Sequence, residues 1–238
     1  MVKSAFRPSD DVMTLPFLVP TNAMAVVDLR RTTTIVQALI GDGGSISSEC
    51  SEIYLNGLVD DMTFMANTID AGIQKYGIGV HPLTGNKQYA YEVDGYGNMY
   101  YADDANVPSL LSLPYLGYVN ATDPIYINTR NFVLSSNNPW YFSGKAGAGL
   151  GGPHVGLNSI WPMSIIIHAL TSTDSEEITN CAELLVDSTE NTTLMHESFN
   201  KNDVGSYTRS WFAWANSLFG ELVLYDEGLE RIKITSEQ

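Results

Sequence analysis

From Ser47 to Tyr76 the apolar residues Leu55, Leu58, Met62, Met65, Ile69, Ile73 and Tyr76 recur in steps of three and four, while Glu49, Glu52, Asn56, Asp60 and Asp70 fall largely between them. That period puts the apolar positions on one face, so the segment reads as a long amphipathic helix. Upstream, Thr21 and Asn22 follow Pro20 as N-cap residues, and Met24, Val27, Ile35 and Leu39 keep broadly helical spacing to about Ile40. Gly41–Gly44 stops that run.

Between Gly77 and Tyr101 the texture changes to Gly, Tyr and Val, punctuated by Gly85-Asn86 and Asp94-Gly95. Such punctuation predicts short strands, Gln88–Val93 among them, joined as a small β-hairpin insertion. Helical texture returns over Ser109–Tyr118, Ile125–Val133, Trp161–Leu170, Glu176–Asp187 and Trp211–Tyr225, separated by loops rich in Gly, Asn and Pro. With no repeat, low-complexity tract or charge block to mark a linker, residues 1–238 read as a single, mainly α domain of paired helices. Long loops inside a compact domain tend to carry binding or catalytic groups.

Composition narrows the partners. The chain has 238 residues, 44% of them hydrophobic, enough for a sizeable core. Its 27 acidic against 12 basic side chains give a net charge of −15, a field that repels nucleic acid and anionic membrane surfaces. The longest apolar runs, such as Met163–Leu170, are too short to span a bilayer, and the amino terminus lacks the layout of a signal peptide. Cys50 and Cys181 make neither a disulfide framework nor a metal cluster and read as buried thiols. The sequons at Asn120 and Asn191 lean the compartment toward the secretory route or the cell exterior.

Two motifs lose their usual meaning in context. Gly147, Gly149 and Gly152 have the spacing of a dinucleotide loop, but Pro153-His154 follows where a helix should open. His196-Glu197 begins like a zinc-protease helix, yet Asn200 stands where the second histidine belongs, and His81, His154, His168 and His196 have no ligand spacing. What remains is carboxylate beside aromatic and small polar residues, in Arg7-Pro8-Ser9-Asp10-Asp11, Asp103-Asp104-Ala105-Asn106 and Met195-His196-Glu197-Ser198-Phe199. A glycosidase needs a protonated carboxyl, a second carboxylate and aromatic faces for the sugar. The same acids would equally serve as helix caps. Trp140 and Tyr141, in a Pro- and Gly-flanked loop, are platform candidates, while Trp211, Trp214 or Ala215, Leu218, Leu222 and Tyr225 recur as a packing stripe.

Taken in order, Phe6–Asp11, Tyr89–Gly95, Asp103–Leu111, Gly151–His154, Ile160–Pro162, Leu170–Asp174, His196–Phe199 and Tyr207–Arg209 with Trp211–Phe219 resemble glycoside hydrolase family 125 over nearly the whole chain. The resemblance implies an (α/α)6 barrel of helical hairpins with its active site at the loop-rich end. It further implies removal of terminal, non-reducing α-1,6-linked mannose from a mannose-containing oligosaccharide or glycan, with inversion and with no catalytic metal or other cofactor. In the family pattern an aspartate is the general acid and a glutamate the general base. Glu197 matches the base, and the acid is Asp10 or Asp11. Arg7, Asp103, Asp104, Asn106, Trp140, Tyr141, His154, His196 and Arg209 are the expected substrate-binding residues. An inverting pair should stand about 6.5–9.5 Å apart, leaving room for a water.

The resemblance departs from the family in extent, because nothing here matches an amino-terminal half of the barrel. The expectation is therefore a partial barrel with exposed helix faces, and a chain that alone is inactive or weakly active. A carbohydrate-binding remnant is the competing reading. A helical interaction module, unrelated to sugars, would scatter Asp10, Asp11 and Glu197 over separate surfaces.

Overall fold

A computed structural model describes residues 1–41 and 52–236, with side chains through Leu224. Asp42, Gly43 and Gly44 of the expected stop, the expected helix start at Ser47, Glu49, Cys50 and the Tyr225 side chain lie outside the described residues. The chain runs through β1 (Phe17–Leu18), α1 (Val19–Gly41), α2 (Glu52–Tyr76), β2 (Ile78–Val80), β3 (Lys87–Tyr89), β4 (Glu92–Val93) and β5 (Met99–Tyr100). It continues through α3 (Leu113–Leu116), α4 (Pro124–Val133), β6 (Tyr141–Gly144), β7 (Gly147–Leu150), β8 (Ser159–Ile160), α5 (Pro162–Leu170), α6 (Ser175–Asp187), β9 (Ser198–Asn200), β10 (Asp203–Thr208) and α7 (Ala213–Ser236). The mainly α expectation holds, with more short strands than the sequence pattern shows.

Helices α1 and α2 pack together along their length. On α2 the buried stripe is Val59, Met62, Ala66, Ile69 and Ile73, so Met65 and Tyr76 flank it rather than belong to it. The expected face of α1 is turned: Ala23, Val26, Val27, Thr33 and Val36 are buried, and Met24, Ile35 and Leu39 are exposed. Asn22 is not a cap, because α1 starts earlier, where the Val19 N–H donates to the Tyr91 carbonyl at 2.9 Å. The Asn22 amide instead holds the amino terminus, accepting from the Val2 N–H at 2.6 Å and donating to the Val2 carbonyl at 3.0 Å.

Gln88–Val93 is not one strand. Lys87–Tyr89 pairs with Ile78–Val80, while Glu92–Val93 turns to a second sheet, between Phe17–Leu18 and Met99–Tyr100. The expected helix at Ser109–Tyr118 shrinks to Leu113–Leu116, because Gly117, at φ +87°, closes it in the left-handed region. Helices α4 and α6 begin where Asp123 and Asp174 accept hydrogen bonds from the first free backbone amides. The β6–β7 hairpin and the β10–β9–β8 sheet have no counterpart in the sequence pattern, since most of their strands are too short to show alternation.

Two hydrophobic clusters form the core. One joins α1, α2, the first sheets and α4, including Leu18, Ile73, Tyr91, Leu111, Tyr126 and Trp161. The other joins α5, α6, α7 and the β10–β9–β8 sheet, including Met163, Ile166, Leu185, Phe199 and Leu218. Trp140, Tyr115 and Phe212 pack against both, which binds the two parts into one body.

Three helices are also clasped by one carboxylate. Glu177 of α6 meets Arg130 Nη2 of α4 at 2.5 Å and His168 Nε2 of α5 at 2.8 Å, and it accepts from the Ser172 hydroxyl. Burial opposes ionisation of Glu177, but donation from Ser172 and His168 and the charge of Arg130 outweigh it, holding the carboxyl at about 2. A depressed carboxyl stabilises the fold above its unfolded value and loses that contribution as pH falls through the folded one. Glu177→Gln should therefore cost roughly 1–2 kcal/mol at pH 7, discounted for solvent screening of a partly exposed group. Thermal unfolding of both proteins across pH checks this: the gap in Tm should narrow below about pH 4.5 and close near pH 2.

Candidate active site

The segment before β1 folds back on itself. Phe6 bridges Val12, the Arg7 N–H donates to the Asp11 carbonyl at 2.8 Å, and the Asp10 N–H donates to the Arg7 carbonyl at 3.0 Å. Pro8 and Ser9 make the turn and Asp10 closes it at φ +66°, a left-handed position that such hairpins usually give to Gly or Asn. A short polar side chain tolerates it. Asp10 ends exposed, at the tip. Asp11 is half-buried, and its Oδ2 accepts from the Ser9 hydroxyl at 2.7 Å and lies 4.0 Å from His154 Nδ1.

Arg7, one of the expected substrate-binding residues, is buried and paired within the fold. Its Nε donates to Glu92 Oε1 at 2.7 Å, with 5% and 0% of the two side chains exposed. The other Glu92 oxygen accepts from the Thr14 and Leu15 N–H groups, at 2.8 Å each. The guanidinium also lies over the Tyr91 and Tyr100 rings, 5.4 and 5.7 Å from their centroids. Burial alone would lower the Arg7 pKa, but the hydrogen bond and charge of Glu92 turn this into a net rise.

Asp103, Asp104 and Asn106 are buried too. Asp103 spends one oxygen on the Leu110 N–H at 2.8 Å and the other on the Leu111 N–H at 2.9 Å, so it caps the turn leading into α3. Burial pushes its carboxyl well up despite those two donors. Asp104 Oδ1 accepts from the Asn106 N–H at 2.9 Å, and its Oδ2 lies 3.2 Å from the Ser9 hydroxyl. Asp104 thus adjoins the Asp11 hairpin, while Asp103 and Asn106 support it.

Glu197 comes from the other half of the core. It stands at the entry to β9, with no helix after it, so the zinc-protease likeness has no structural counterpart. Its N–H donates to the Thr208 carbonyl at 3.2 Å across the β9–β10 ladder, and its nearly buried carboxylate meets Arg209 Nε at 3.2 Å. Arg209 itself is held at φ +44°. The His196 ring stacks on Tyr207 with centroids 3.8 Å apart, and Nδ1 donates to the Ser210 carbonyl at 2.9 Å. Among the described residues, none hydrogen-bonds the buried Nε2 of His196.

Between the two carboxylates lies a series of neighbouring side chains. From Asp11 it passes to His154, whose ring lies 6.3 Å from Trp161, then to Phe212, 5.9 Å from Trp161. Arg209 lies over Phe212 at 5.8 Å and completes the path to Glu197. Trp140 is packed between the two hydrophobic clusters, and Tyr141 faces a separate cavity of about 370 Å³ beside His168, Glu177 and Cys181, so neither joins this path. Ser9, Glu92, Trp161 and Phe212 are the participants that side-chain chemistry alone did not mark.

The glycine run has a packing cause. A Cβ on Gly151 would lie 2.2 Å from the Ser159 carbonyl oxygen, and one on Gly149 would lie 2.8 Å from the Ile160 side chain. These glycines therefore let β7 approach its neighbours rather than cradle a phosphate. Among the described residues, no three His, Cys, Asp or Glu side chains are grouped to hold a metal ion, and no helix is long and apolar enough to cross a membrane.

Comparison with known proteins adds the chemistry. The sequence model of the family described as metal-independent α-mannosidases, glycoside hydrolase family 125, matches residues 1–224. The meiotically up-regulated gene 157 protein of Schizosaccharomyces pombe is 50% identical over 225 residues, covering 94% of this chain and 41% of that protein. A Streptococcus pneumoniae protein, solved as a non-productive complex with α-1,6-mannobiose in work on metal-independent α-mannosidases, has a TM-score of 0.86 and 40% identity, covering 94% of this chain and 50% of that one. The chain thus spans half or less of the relatives it matches.

Asp103 and Asp10 should respond differently to substitution. Asp103→Ala leaves two buried N–H groups unsatisfied and should cost about 2–4 kcal/mol, read as a fall in Tm. Asp10→Asn, at an exposed turn that accepts Asn, should stay within about 0.5 kcal/mol of the wild type.

Proposed function

The chain belongs to the metal-independent α-mannosidases of glycoside hydrolase family 125, and from that membership we propose that it carries the acid and base of an inverting exo-α-1,6-mannosidase. The half-buried Asp11 beside His154 and the nearly buried Glu197 beside Arg209 are the observations that carry the reading. The mannobiose bound to the Streptococcus relative supports a terminal α-1,6-linked mannose as substrate, and the helical hairpins are read as part of an (α/α)6 barrel.

Glu197 is the general base. Arg209 engages one of its oxygens at 3.2 Å, leaving the other for a water. As that water attacks the anomeric carbon, it gives a proton to Glu197. The general acid is Asp11, which unlike Asp10 is half-buried and placed beside His154 on the path to Glu197. It protonates the glycosidic oxygen on the opposite face as the carbon–oxygen bond breaks, and the configuration inverts. Arg209 and His154 have exposed surface from which to meet sugar hydroxyls.

Because the chain covers at most half of its relatives, a sugar-binding remnant is the second reading. Mannose release from α-1,6-mannobiose should be compared between the 238-residue chain and the longest polypeptide its gene encodes. Release is expected from the longer protein, with β-mannose appearing first by NMR, and Glu197→Gln should reduce it about 10²–10⁴-fold. Binding of mannobiose without release by either protein would favour the remnant, and α-mannose as first product would remove inversion.

A further inference from the structure

We propose that Asp11 and Asp104 share one proton through the hydroxyl of Ser9, and that this buried partner positions the proton that Asp11 transfers. The inference rests on Asp11 as the general acid, and it adds Ser9 and Asp104 as positioning residues.

A count of hydrogens carries it. Ser9 Oγ lies 2.7 Å from Asp11 Oδ2 and 3.2 Å from Asp104 Oδ2, both within hydrogen-bond distance. A hydroxyl has one proton to donate, so it can serve only one of the two carboxylates and must turn a lone pair to the other. With both acids ionised, one close oxygen–oxygen approach would have no hydrogen in it. A single additional proton completes both bonds: Asp104 donates to Ser9 and Ser9 to Asp11, or the same chain runs in reverse. In the reversed arrangement Asp11 carries the proton and Asp104 accepts from Ser9.

The surroundings favour that proton. Asp104 is fully buried, its Oδ1 is occupied by the Asn106 N–H, and none of the ion pairs among the described residues includes it. Its carboxyl is pushed up by burial, against the pull of Asn106, Arg7 and Ser9. The charged and titratable groups facing the pair are Arg7, Asp103, the Tyr91 hydroxyl and, at Asp11, His154. Arg7 is the cation, and Glu92 already engages it. Two carboxylates linked this closely give up their last proton reluctantly, as a pair rather than singly.

In turnover, Asp11 gives its proton to the leaving oxygen, which also keeps the electron pair of the broken bond. Ser9 then turns its hydroxyl to the ionised Asp11, the closer of its two partners. The attacking water leaves its proton on Glu197, and exchange with solvent returns one proton from Glu197 to Asp11, so the cycle consumes only water.

The test is a titration of ¹³C-labelled carboxyl groups by NMR on the 238-residue chain, which needs no turnover. The Asp11 and Asp104 signals should change together in one common step, and Ser9→Ala or Asp104→Asn should abolish that common step. Separate steps below about pH 5 in the wild type, unmoved by either substitution, would overturn the shared proton whatever the sugar assays show. In the active protein, Asp104→Asn should lower the alkaline limb of kcat/KM by about one pH unit. It should also cost about tenfold more on mannobiose than on α-mannosyl fluoride, whose leaving group needs no proton. Equal losses on both substrates would overturn the link to acid catalysis, while failure of the wild type on both would count against the enzyme reading itself.

Discussion

The buried pair of Arg7 and Glu92 is the constraint on which the acid side of the site depends. Arg7 opens the turn that holds Ser9, Asp10 and Asp11, and Glu92 lies on β4, between β1 and β5. One carboxylate thus grips both limbs of the loop, Arg7 on one side and the Thr14 and Leu15 amides on the other. Such a pair adds little stability relative to a well-packed apolar substitute, because desolvating two charges offsets most of their attraction. Losing one partner is different and costs about 3–5 kcal/mol, since the other charge stays buried. The pair therefore serves position, and the Tyr91 and Tyr100 rings around the guanidinium narrow its freedom further.

The base is positioned by separate means. Glu197 is held by a β-ladder and by Arg209, on a sheet packed against α5 and α7. Trp161 and Phe212 are where the two arrangements meet. Trp161, just ahead of α5, is buried in the first cluster, and Phe212, just ahead of α7, packs on both. Both stand in loops at helix starts, α5 behind one and α7 behind the other, where short segments can carry chemistry on a packed scaffold.

How much of this was legible in the sequence depended on the length of the pattern. Helix α2 showed itself because apolar residues recur in steps of three and four over its length, Met62, Ile69 and Ile73 among the buried ones, and α4, α5 and α6 showed themselves by helical texture between Gly-, Asn- and Pro-rich loops. On α1 the period was readable but the face was not, since Met24, Ile35 and Leu39 compete with Ala23, Val26 and Val36 and only packing decides. Strands of two to four residues carry no alternation to read, which hid β6 through β9. At the site, residue type marked the carboxylates, and likeness to a known family gave them roles. Neither could separate Asp103, spent on two backbone amides, from Asp11, left beside His154, because both are aspartates in polar loops. Glu92 was equally hidden: in sequence it is one acid in a Tyr-rich strand, and its partner is 85 residues away.

The positioning role of the Arg7–Glu92 pair is open to direct measurement. Amide hydrogen exchange in the wild type should show protection at Arg7, Asp10, Thr14 and Leu15, whose N–H groups are all hydrogen-bonded. In Glu92→Gln these amides should exchange about tenfold faster or more, while those of α5 keep their protection, as expected when one segment opens locally. Unchanged exchange at Arg7 through Leu15 would mean that the hairpin carrying the acid is held by something other than this ion pair.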